Sequence, residues 1–393
     1  MTKKQPHKIG VGTATIFGMN AMIGAGIFTA PSAMASKVGP AGILAYLFVV
    51  VSVWFMGVSI ARAATLFPSE GSFYAYIKPL LGHHIAMLLN ASHLLGIVVA
   101  MGLLTQNAGA YLHPFIPAIS PYMLGVIILA TLIALNIFGV MLSSIGQRAL
   151  IACTLFPLIA IIIICLAHTS WANFVPFAPY GMRNVLAATR IVIFGFFGFE
   201  CASLMFNNVI DPARNVPRAL TYAVGIVGGL YLLFVTSLIA AIPLWLFESP
   251  ELPLLTDVLR IRFPDNDFII GAVHISILSA MLGTVHSMIC STSASLSTLI
   301  GLATEKKKHL TQQQCVPIIG TLIFLTFALL KNQGLFFGFT ALFMVSAYIG
   351  AMLTLLSIKK EWTSGRNIRT LIGLGTAGTI LYFSIELIFK SLA

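Results

Sequence analysis

The chain has 393 residues, of which 58% are hydrophobic and only 8% are charged, and its formal net charge is +11. A soluble globular protein carries about 25% charged residues, so this composition excludes that class and indicates an integral membrane protein. The positive charge does not indicate a nucleic-acid partner, because the basic residues lie in short clusters between long apolar runs.

Apolar runs predict about eleven transmembrane helices, since a spanning helix needs about 20 predominantly apolar residues. We therefore expect an all-α integral membrane protein with a single transporter domain over residues 1–393. The predicted spans cover residues 9–35, 40–66, 84–112, 121–141, 148–168, 185–209, 219–245, 268–303, 316–331, 334–358 and 369–390.

The distribution of lysine and arginine predicts the orientation of these spans. When the N-terminus is placed in the cytoplasm, 15 of the 22 Lys and Arg residues fall on the inner side. Short cytoplasmic loops carry an excess of Lys and Arg, so this assignment is the favoured one. The expected location is the cytoplasmic membrane, as the inner membrane of a bacterium, with the N-terminus in the cytoplasm.

The first span contains residues that a continuous helix avoids. Gly24 and Gly26 lie in the middle of the apolar run, and Pro31 follows a few residues later. A glycine in a helix interior costs roughly 1 kcal/mol relative to alanine. Because a broken helix is tolerated at membrane depth only where its backbone faces protein, water or a solute, we predict that residues 22–28 form an unwound segment at a binding site.

A second interruption is predicted five spans later, where Gly195 and Gly198 lie near the centre of span 6. Many secondary transporters consist of two inverted repeats, and each repeat starts with a discontinuous helix. We therefore predict a first repeat at 9–168, a second repeat at 185–358 and an extra span at 369–390. The alternative is that these glycines only serve close helix packing.

Three sequence blocks resemble the amino acid–polyamine–organocation (APC) superfamily of permeases. The first is IGAGIF at 23–28, followed by Pro31 and by GPAG at 39–42. The second is FPSEGSFYAY at 67–76, and the third is FGFFGFE at 194–200 together with DPARNVPRA at 211–219. The blocks cover the first 220 residues, and the second half resembles the family only in the layout of its spans.

The resemblance implies a five-plus-five (5+5) inverted-repeat, LeuT-like fold with discontinuous helices 1 and 6. It also implies one substrate pocket between spans 1, 3, 6 and 8. Members of the family carry amino acids or their decarboxylation products, and most couple transport to a proton gradient or exchange one amine for another. Two features depart from the family: most members have twelve spans, and span 8 here ends in the unusual stretch ATEKKK at 303–308.

The two predicted breaks supply the groups that a zwitterionic amino acid needs. Free N–H groups at a helix start suit a carboxylate, and free carbonyl groups at a helix end suit an ammonium group. Phe194 occupies the place where relatives often have an aromatic residue that closes over the substrate. The candidate binding residues are Ile23, Gly24, Ala25, Gly26, Ile27, Phe194, Gly195, Phe196, Phe197, Gly198 and Met288.

Two titratable residues are candidates for proton transfer or gating. Glu200 is the only acidic residue inside the first seven spans, and an intramembrane carboxyl group is a functional candidate by default. His286 lies in the middle of span 8, where the architecture directs it toward the pocket, although a hydrogen-bonded core histidine is the more common case. His93 in span 3 is a weaker candidate.

The sequence does not identify the coupling ion. Some proton-coupled relatives carry a lysine in span 5, and Thr154 occupies that place here. The remaining possibilities are exchange, proton coupling through Glu200 or His286, and sodium bound by the hydroxyl groups of span 8.

The predicted function is that of a secondary active transporter, a permease or antiporter that moves amino acids or related amines by alternating access, with proton coupling or exchange. A neutral or weakly polar amino acid is the first choice of substrate. The alternatives are a sodium-coupled symporter of another solute on the same fold, or a non-transporting receptor or channel. The spans contain no set of residues typical of an enzyme, and we expect no cofactor, metal ion or nucleic acid, only the substrate, membrane lipid and a possible coupling ion.

Overall fold

Helices make up the architecture of the computed structural model, which describes residues 8–24, 26–67, 73–138, 140–249, 255–264, 267–303, 310–330, 332–358 and 364–392. Within these ranges the only β pairing is an isolated bridge between Ile9 and Val209. The α-helices are α1 (Val11–Met22), α2 (Gly26–Val38), α3 (Gly42–Leu66), α4 (Phe73–Leu112), α5 (Pro121–Ile137), α6 (Val140–Ala167), α7 (Met182–Val192), α8 (Cys201–Leu204), α9 (Pro212–Ala241), α10 (Leu244–Glu248), α11 (Leu255–Arg262), α12 (Asp267–Ala303), α13 (Gln312–Leu329), α14 (Gln333–Ser357) and α15 (Ser364–Leu392).

The described helices have the lengths and surfaces of a membrane protein. Eight of them are long and apolar enough to cross a bilayer, and α5 is a shorter apolar helix. Large apolar side chains such as Leu88, Phe156 and Phe389 lie on the outside, at 68%, 74% and 69% exposure. An apolar exterior of this kind is expected where lipid replaces water. The two other predicted spans coincide with the interrupted segments α1–α2 and α7–α8.

Local sequence signals explain several helix boundaries. Ser120 caps α5 by accepting a hydrogen bond from the N–H group of Met123, and a capping box between Thr311 and Gln314 starts α13. Helix α4 starts at Phe73, well before the predicted residue 84, and it is divided by Gly82, which has a φ of +77°. A short helical segment therefore precedes the spanning part of α4.

The interrupted first span lies at the centre of the helix bundle. Helix α1 contacts α6, α8, α9 and α12, while α2 contacts α7 and α3. The side chains of Phe17, Ile23 and Ile27 have no exposed surface. The last helix, α15, packs on α3 and α14 at the periphery. This arrangement is the all-α membrane fold that the sequence predicts, whereas the number of crossings and the inverted repeats at 9–168 and 185–358 stay predictions.

Candidate functional site

The first span is interrupted inside the segment 22–28 that the sequence predicts to be unwound, but the break is shorter than predicted, because Met22 and residues 26–28 are helical. Helix α1 ends at Met22 and α2 begins at Gly26, with Ile23 and Gly24 in a bend between them. The N–H group of Ile23 donates to the carbonyl of Met19 at 2.7 Å, and that of Gly24 donates to the carbonyl of Met22 at 2.9 Å. Ala25, a predicted site residue, lies outside the described residues.

The sixth span is interrupted at its predicted position as well. Helix α7 ends at Val192 and gives way to a 3₁₀ turn over Ile193–Phe196, after which Phe197 is extended. Gly198 then adopts a φ of +103°, a conformation that side chains with a Cβ rarely adopt. A Cβ atom on Gly198 would also lie 2.7 Å from the carbonyl oxygen of Ala21, so this position requires glycine for two reasons.

The two interruptions lie side by side. A Cβ atom built on Gly26 would be 2.7 Å from the Cα atom of Gly195, which is closer than real contacts of this kind. The reverse contact is looser, because a Cβ on Gly195 would lie 3.6 Å from the carbonyl carbon of Gly26. Glycine at position 26 therefore allows the two backbones to approach each other at the centre of the bundle.

Side chains from α12 and α9 bind the carbonyl groups that the first break releases. The hydroxyl group of Thr284 donates to the carbonyls of Asn20 at 2.7 Å and Ile23 at 3.1 Å. The hydroxyl group of Tyr231 donates to the carbonyl of Met22 at 2.9 Å. The predicted carbonyl cradle thus already has partners in the protein, and the carbonyl of Met22, which also accepts from the N–H group of Gly24, has both lone pairs in use.

A small cavity lies between the two breaks. Its volume is about 10 Å³, which is room for about one water molecule and much less than an amino acid needs. None of its described lining residues carries a charge. They are Ala21, Met22, Gly24, Gly26, Ala100, Leu104, Phe194, Gly195, Phe197, Thr284 and Met288.

About half of the predicted binding residues line this cavity, namely Gly24, Gly26, Phe194, Gly195, Phe197 and Met288. Ala25 lies outside the described residues, and the remaining four do not line the cavity. Ile23 and Ile27 are packed in the core with no exposed surface, and the ring of Phe196 packs edge-on against Tyr231, with 4.8 Å between the ring centroids. Gly198 shapes the backbone and does not line the cavity.

Several lining residues were missed in the sequence. Ala100 and Leu104 of α4 are four residues apart, and Thr284 is four residues before Met288 on α12. Residues four apart lie on the same face of a helix, so this spacing could have identified Thr284 once Met288 was chosen. No comparable signal marks Ala21 or Met22.

Phe194 lies between the cavity and α14. Its ring contacts that of Phe337 edge-on, with the ring centroids 4.6 Å apart, and the ring of Phe197 is 6.5 Å away. Only 9% of Phe194 is exposed. The ring therefore forms one wall of the cavity and joins span 6 to the start of α14.

Glu200 forms a buried pair with His93, which the sequence marks only as a weaker candidate. Its Oε1 atom lies 3.0 Å from Nε2 of His93, and neither side chain has exposed surface. The aromatic rings of Phe73 and Tyr348 pack against His93, with centroids 4.3 Å and 5.7 Å from that of the imidazole. The two residues are 107 positions apart in the chain, so no local pattern connects them.

His286 does not line the cavity, contrary to the expectation that it faces the pocket. Its Nδ1 atom accepts a hydrogen bond from the side-chain amide of Asn136 on α5, at 2.9 Å. A Cβ on Gly146 of α6 would be 3.7 Å from Nε2 of His286. The imidazole ring thus lies on the side of α12 that packs against α5 and α6.

The hydroxyl groups of spans 5 and 8 bind each other. The Oγ1 atom of Thr154 lies 2.9 Å from the Oγ atom of Ser279, and the hydroxyl of Ser276 donates to the carbonyl of Thr154 at 2.7 Å. Ser287 donates to the carbonyl of Phe17 on α1 at 2.7 Å. These hydrogen bonds fix α12 against α6 and α1.

Comparison with known proteins gives a match across nearly the whole chain. The family model described as amino acid permease matches residues 9–384. An uncharacterized transporter of Mycobacterium tuberculosis (strain ATCC 25618 / H37Rv) is 26% identical over 308 residues, which cover 77% of this chain and 67% of the relative. The uncharacterized amino acid permease YecA of Bacillus subtilis (strain 168) is 28% identical over 230 residues, or 57% of this chain and 54% of the relative. The branched-chain amino acid permease BcaP of the same strain is 21% identical over 271 residues, or 64% and 58%.

Proposed function

The chain belongs to the amino acid permease family, within the amino acid–polyamine–organocation superfamily, and from this membership we propose that it is a secondary active transporter of amino acids. It is a multi-pass membrane protein, and the proposed mechanism is alternating access around the two helix breaks. The observation that carries the proposal is the contact of Gly26 with Gly195, which brings two unwound segments together beside a central cavity.

The lining of the cavity favours a neutral amino acid with an apolar side chain. Met22, Leu104, Phe197 and Met288 supply apolar surface, and no described lining residue offers a counter-charge for a cationic or anionic side chain. The substrate carboxylate would bind the free N–H groups at the start of α2, where the helix dipole is positive. The name of the relative BcaP, a branched-chain amino acid permease, agrees with such a substrate.

Binding of this substrate requires helix movement. A cavity of about 10 Å³ cannot hold an amino acid, so we assign the structure to a closed state of the proposed cycle. On one side, Phe194 contacts Phe337. At the opposite end, Arg148 donates to the hydroxyl of Thr13 at 2.9 Å, and the N–H group of Ile9 donates to the carbonyl of Asn208 at 2.8 Å. Opening toward either side of the membrane would break one of these two sets of contacts.

The proposed coupling ion is a proton that the His93–Glu200 pair binds and releases. A buried pair of two titratable side chains next to the moving span can change its charge in step with the transport cycle. His93 precedes Ala100 of the cavity wall by two helical turns, or roughly 10 Å along α4. A sodium-coupled cycle is the second candidate, and a sodium ion there would have to replace the hydrogen bond that joins the hydroxyl oxygens of Thr154 and Ser279 at 2.9 Å between spans 5 and 8.

Uptake by proteoliposomes tests these proposals. The full chain is reconstituted and supplied with a mixture of labelled amino acids, with and without internal amino acids, a pH gradient or sodium. We expect uptake of leucine-like neutral substrates that an inward proton gradient stimulates and that sodium does not. Stimulation by sodium alone would support the second candidate, and no uptake of any amino acid under any of these conditions would contradict the transport proposal.

A further inference from the structure

A buried contact between two amide side chains joins the end of α1 to α6. Asn20 lies two residues before the end of α1 at Met22, and Gln147 lies on α6. The side-chain amide of Asn20 donates to the backbone carbonyl of Gln147 at 2.8 Å and also to the side-chain oxygen of that residue. Neither side chain has exposed surface. Helix α1 is therefore fixed to α6 immediately before the first break.

The same contact extends to α12. The side-chain amide of Gln147 donates to the carbonyl of Gly283 at 3.5 Å, and the hydroxyl of Thr284, the next residue, donates to the carbonyl of Asn20 at 2.7 Å. A Cβ atom on Gly283 would lie 2.9 Å from Oδ1 of Asn20, so glycine at this position leaves room for the amide. Asn20 thus binds α6 through its side chain and α12 through its backbone.

We propose that Gln147 is a positioning residue of the transport cycle, a role that rests on the proposed alternating access. It holds Asn20, and with it the end of α1, in the closed state, and it releases Asn20 when α1 moves to open the inner side. Arg148, the next residue of α6, binds the hydroxyl of Thr13 at 2.9 Å. Thr13 and Asn20 are seven residues apart, so they lie on one face of α1 about two turns from each other. Helix α1 cannot leave α6 without breaking both contacts.

The hydrogen bonding of Asn20 is suited to a contact that has to open and close again. Its Oδ1 atom is buried and has no hydrogen-bond partner among the residues that the structure describes. A buried acceptor without a donor destabilises the state that contains it, whereas a pair of apolar residues of the same shape would pack without this penalty. The amide donors therefore hold the closed state, and the unsatisfied oxygen lowers the free energy needed to leave it.

Uptake kinetics and hydrogen exchange of the full chain test the proposal. The variants are Gln147→Met, Asn20→Leu and the double variant N20L/Q147M, in which apolar side chains of similar shape replace the amides. Each is reconstituted in proteoliposomes for uptake and in lipid nanodiscs for exchange measured by mass spectrometry. Asn136→Leu is the matched control, because it removes a buried side-chain amide whose hydrogen bonds go to α5 and α12 instead of α1.

We expect Asn20→Leu to raise the KM for external amino acid roughly 5-fold or more, with a smaller change in kcat. Loss of a buried hydrogen bond shifts the population by such a factor away from the states that bind external substrate. Gln147→Met should have a smaller effect, because the backbone carbonyl of Gln147 still accepts from Asn20. Residues 11–22 should exchange faster in both variants, and the double variant should resemble Asn20→Leu. Asn136→Leu should lower the unfolding temperature but keep the KM and the exchange of residues 11–22 of the wild type.

An unchanged KM and unchanged exchange of residues 11–22 in folded Asn20→Leu and Gln147→Met would overturn the proposal. The same changes in Asn136→Leu would also overturn it, as would effects in the double variant that equal the sum of the single effects. Faster exchange of residues 11–22 in the variants, together with no uptake by any protein including the wild type, would support the role of the contact in holding α1. That result would contradict only the transport proposal, so the two failures are distinguishable.

Discussion

Nε2 of His93 lies 3.0 Å from Oε1 of Glu200, and both side chains are fully buried. One hydrogen bond therefore joins α4 to the residue at which the broken sixth span resumes its helix. Removing one partner of a buried hydrogen bond typically costs about 1–3 kcal/mol, since the other partner is left unsatisfied. Substitution of either residue therefore affects folding, so a test of proton coupling must separate folding from pH dependence.

Substitution of Glu200 by Gln should reduce the pH dependence of transport. The amide can still hydrogen-bond to His93, so the helices stay joined, but it cannot bind or release a proton. We expect the uptake rate of the variant to change less with pH than that of the wild type, because His93 is then the only titratable member of the pair. The measurement is proteoliposome uptake at each pH, corrected for the amount of folded protein.

The matched control for this variant is Glu386→Gln, the same substitution in the peripheral helix α15. It should retain the pH profile of the wild type. If Glu200→Gln also retains that profile while folded, Glu200 has no part in proton coupling. The variant His93→Gln should behave like Glu200→Gln, and the double variant should be no more impaired than either, because residues in one network are coupled by about 0.5–3 kcal/mol.

Gly26→Ala should impair transport by pushing the two breaks apart. The added Cβ would meet the Cα of Gly195 at 2.7 Å, where the neighbour is backbone and cannot rotate away. Overpacking of this kind costs about 1–3 kcal/mol, which corresponds to a roughly 5- to 150-fold loss of the closed state. The control is Gly12→Ala in the same span, since a Cβ there meets nothing within 4 Å. Equal uptake by the two variants would contradict the close approach of the breaks.

Thr284→Val should destabilise the first break. Valine has nearly the shape of threonine but cannot donate to the carbonyls of Asn20 and Ile23. A buried acceptor that loses its donor costs about 1–3 kcal/mol, so the unfolding temperature in detergent should fall. Thr321→Val is the control, because that hydroxyl bonds within its own helix at an exposed position. A fall of the same size in both variants would show that Thr284 has no special role.

Phe194→Ala should raise the KM for the transported amino acid. The ring forms a wall of the cavity, and contact of an aromatic ring with the substrate ammonium group contributes about 0.5–2 kcal/mol. The expected increase in KM is roughly 2- to 30-fold. Phe389→Ala on the outer surface of α15 provides the control, since 69% of that residue is exposed. An unchanged KM in Phe194→Ala would remove the ring from the binding site.

The two helix breaks were predictable because their cause is local. Gly24, Gly26, Gly195 and Gly198 each weaken a helix wherever they occur, and their positions in long apolar runs are visible in the chain. The His93–Glu200 pair was not predictable, because it depends on how α4 packs against the sixth span. A contact between residues 107 positions apart leaves no trace in composition or periodicity.

The orientation of α12 is a second feature that the sequence alone does not determine. The sequence correctly brings the stretch that contains Thr284, His286 and Met288 to the depth of the cavity. Residues two apart on a helix point about 200° away from each other, so a helix that directs Thr284 and Met288 to the cavity directs His286 away from it. The helical period indicates which residues share a face, but only tertiary packing decides which face meets the substrate.

The direction of the His286 side chain leads to a prediction. Its Nδ1 atom accepts a hydrogen bond from the side-chain amide of Asn136 at 2.9 Å. His286→Leu removes this acceptor from a buried contact and should lower the free energy of unfolding by about 1–3 kcal/mol. His286→Gln keeps an acceptor and should cost less. Because the ring packs toward α5 and α6 and does not line the cavity, both variants should keep the wild-type pH profile of uptake. A flattened profile in folded His286→Gln would instead place this histidine in the proton path and would shift the coupling site from α4 to the contact of α12 with α5.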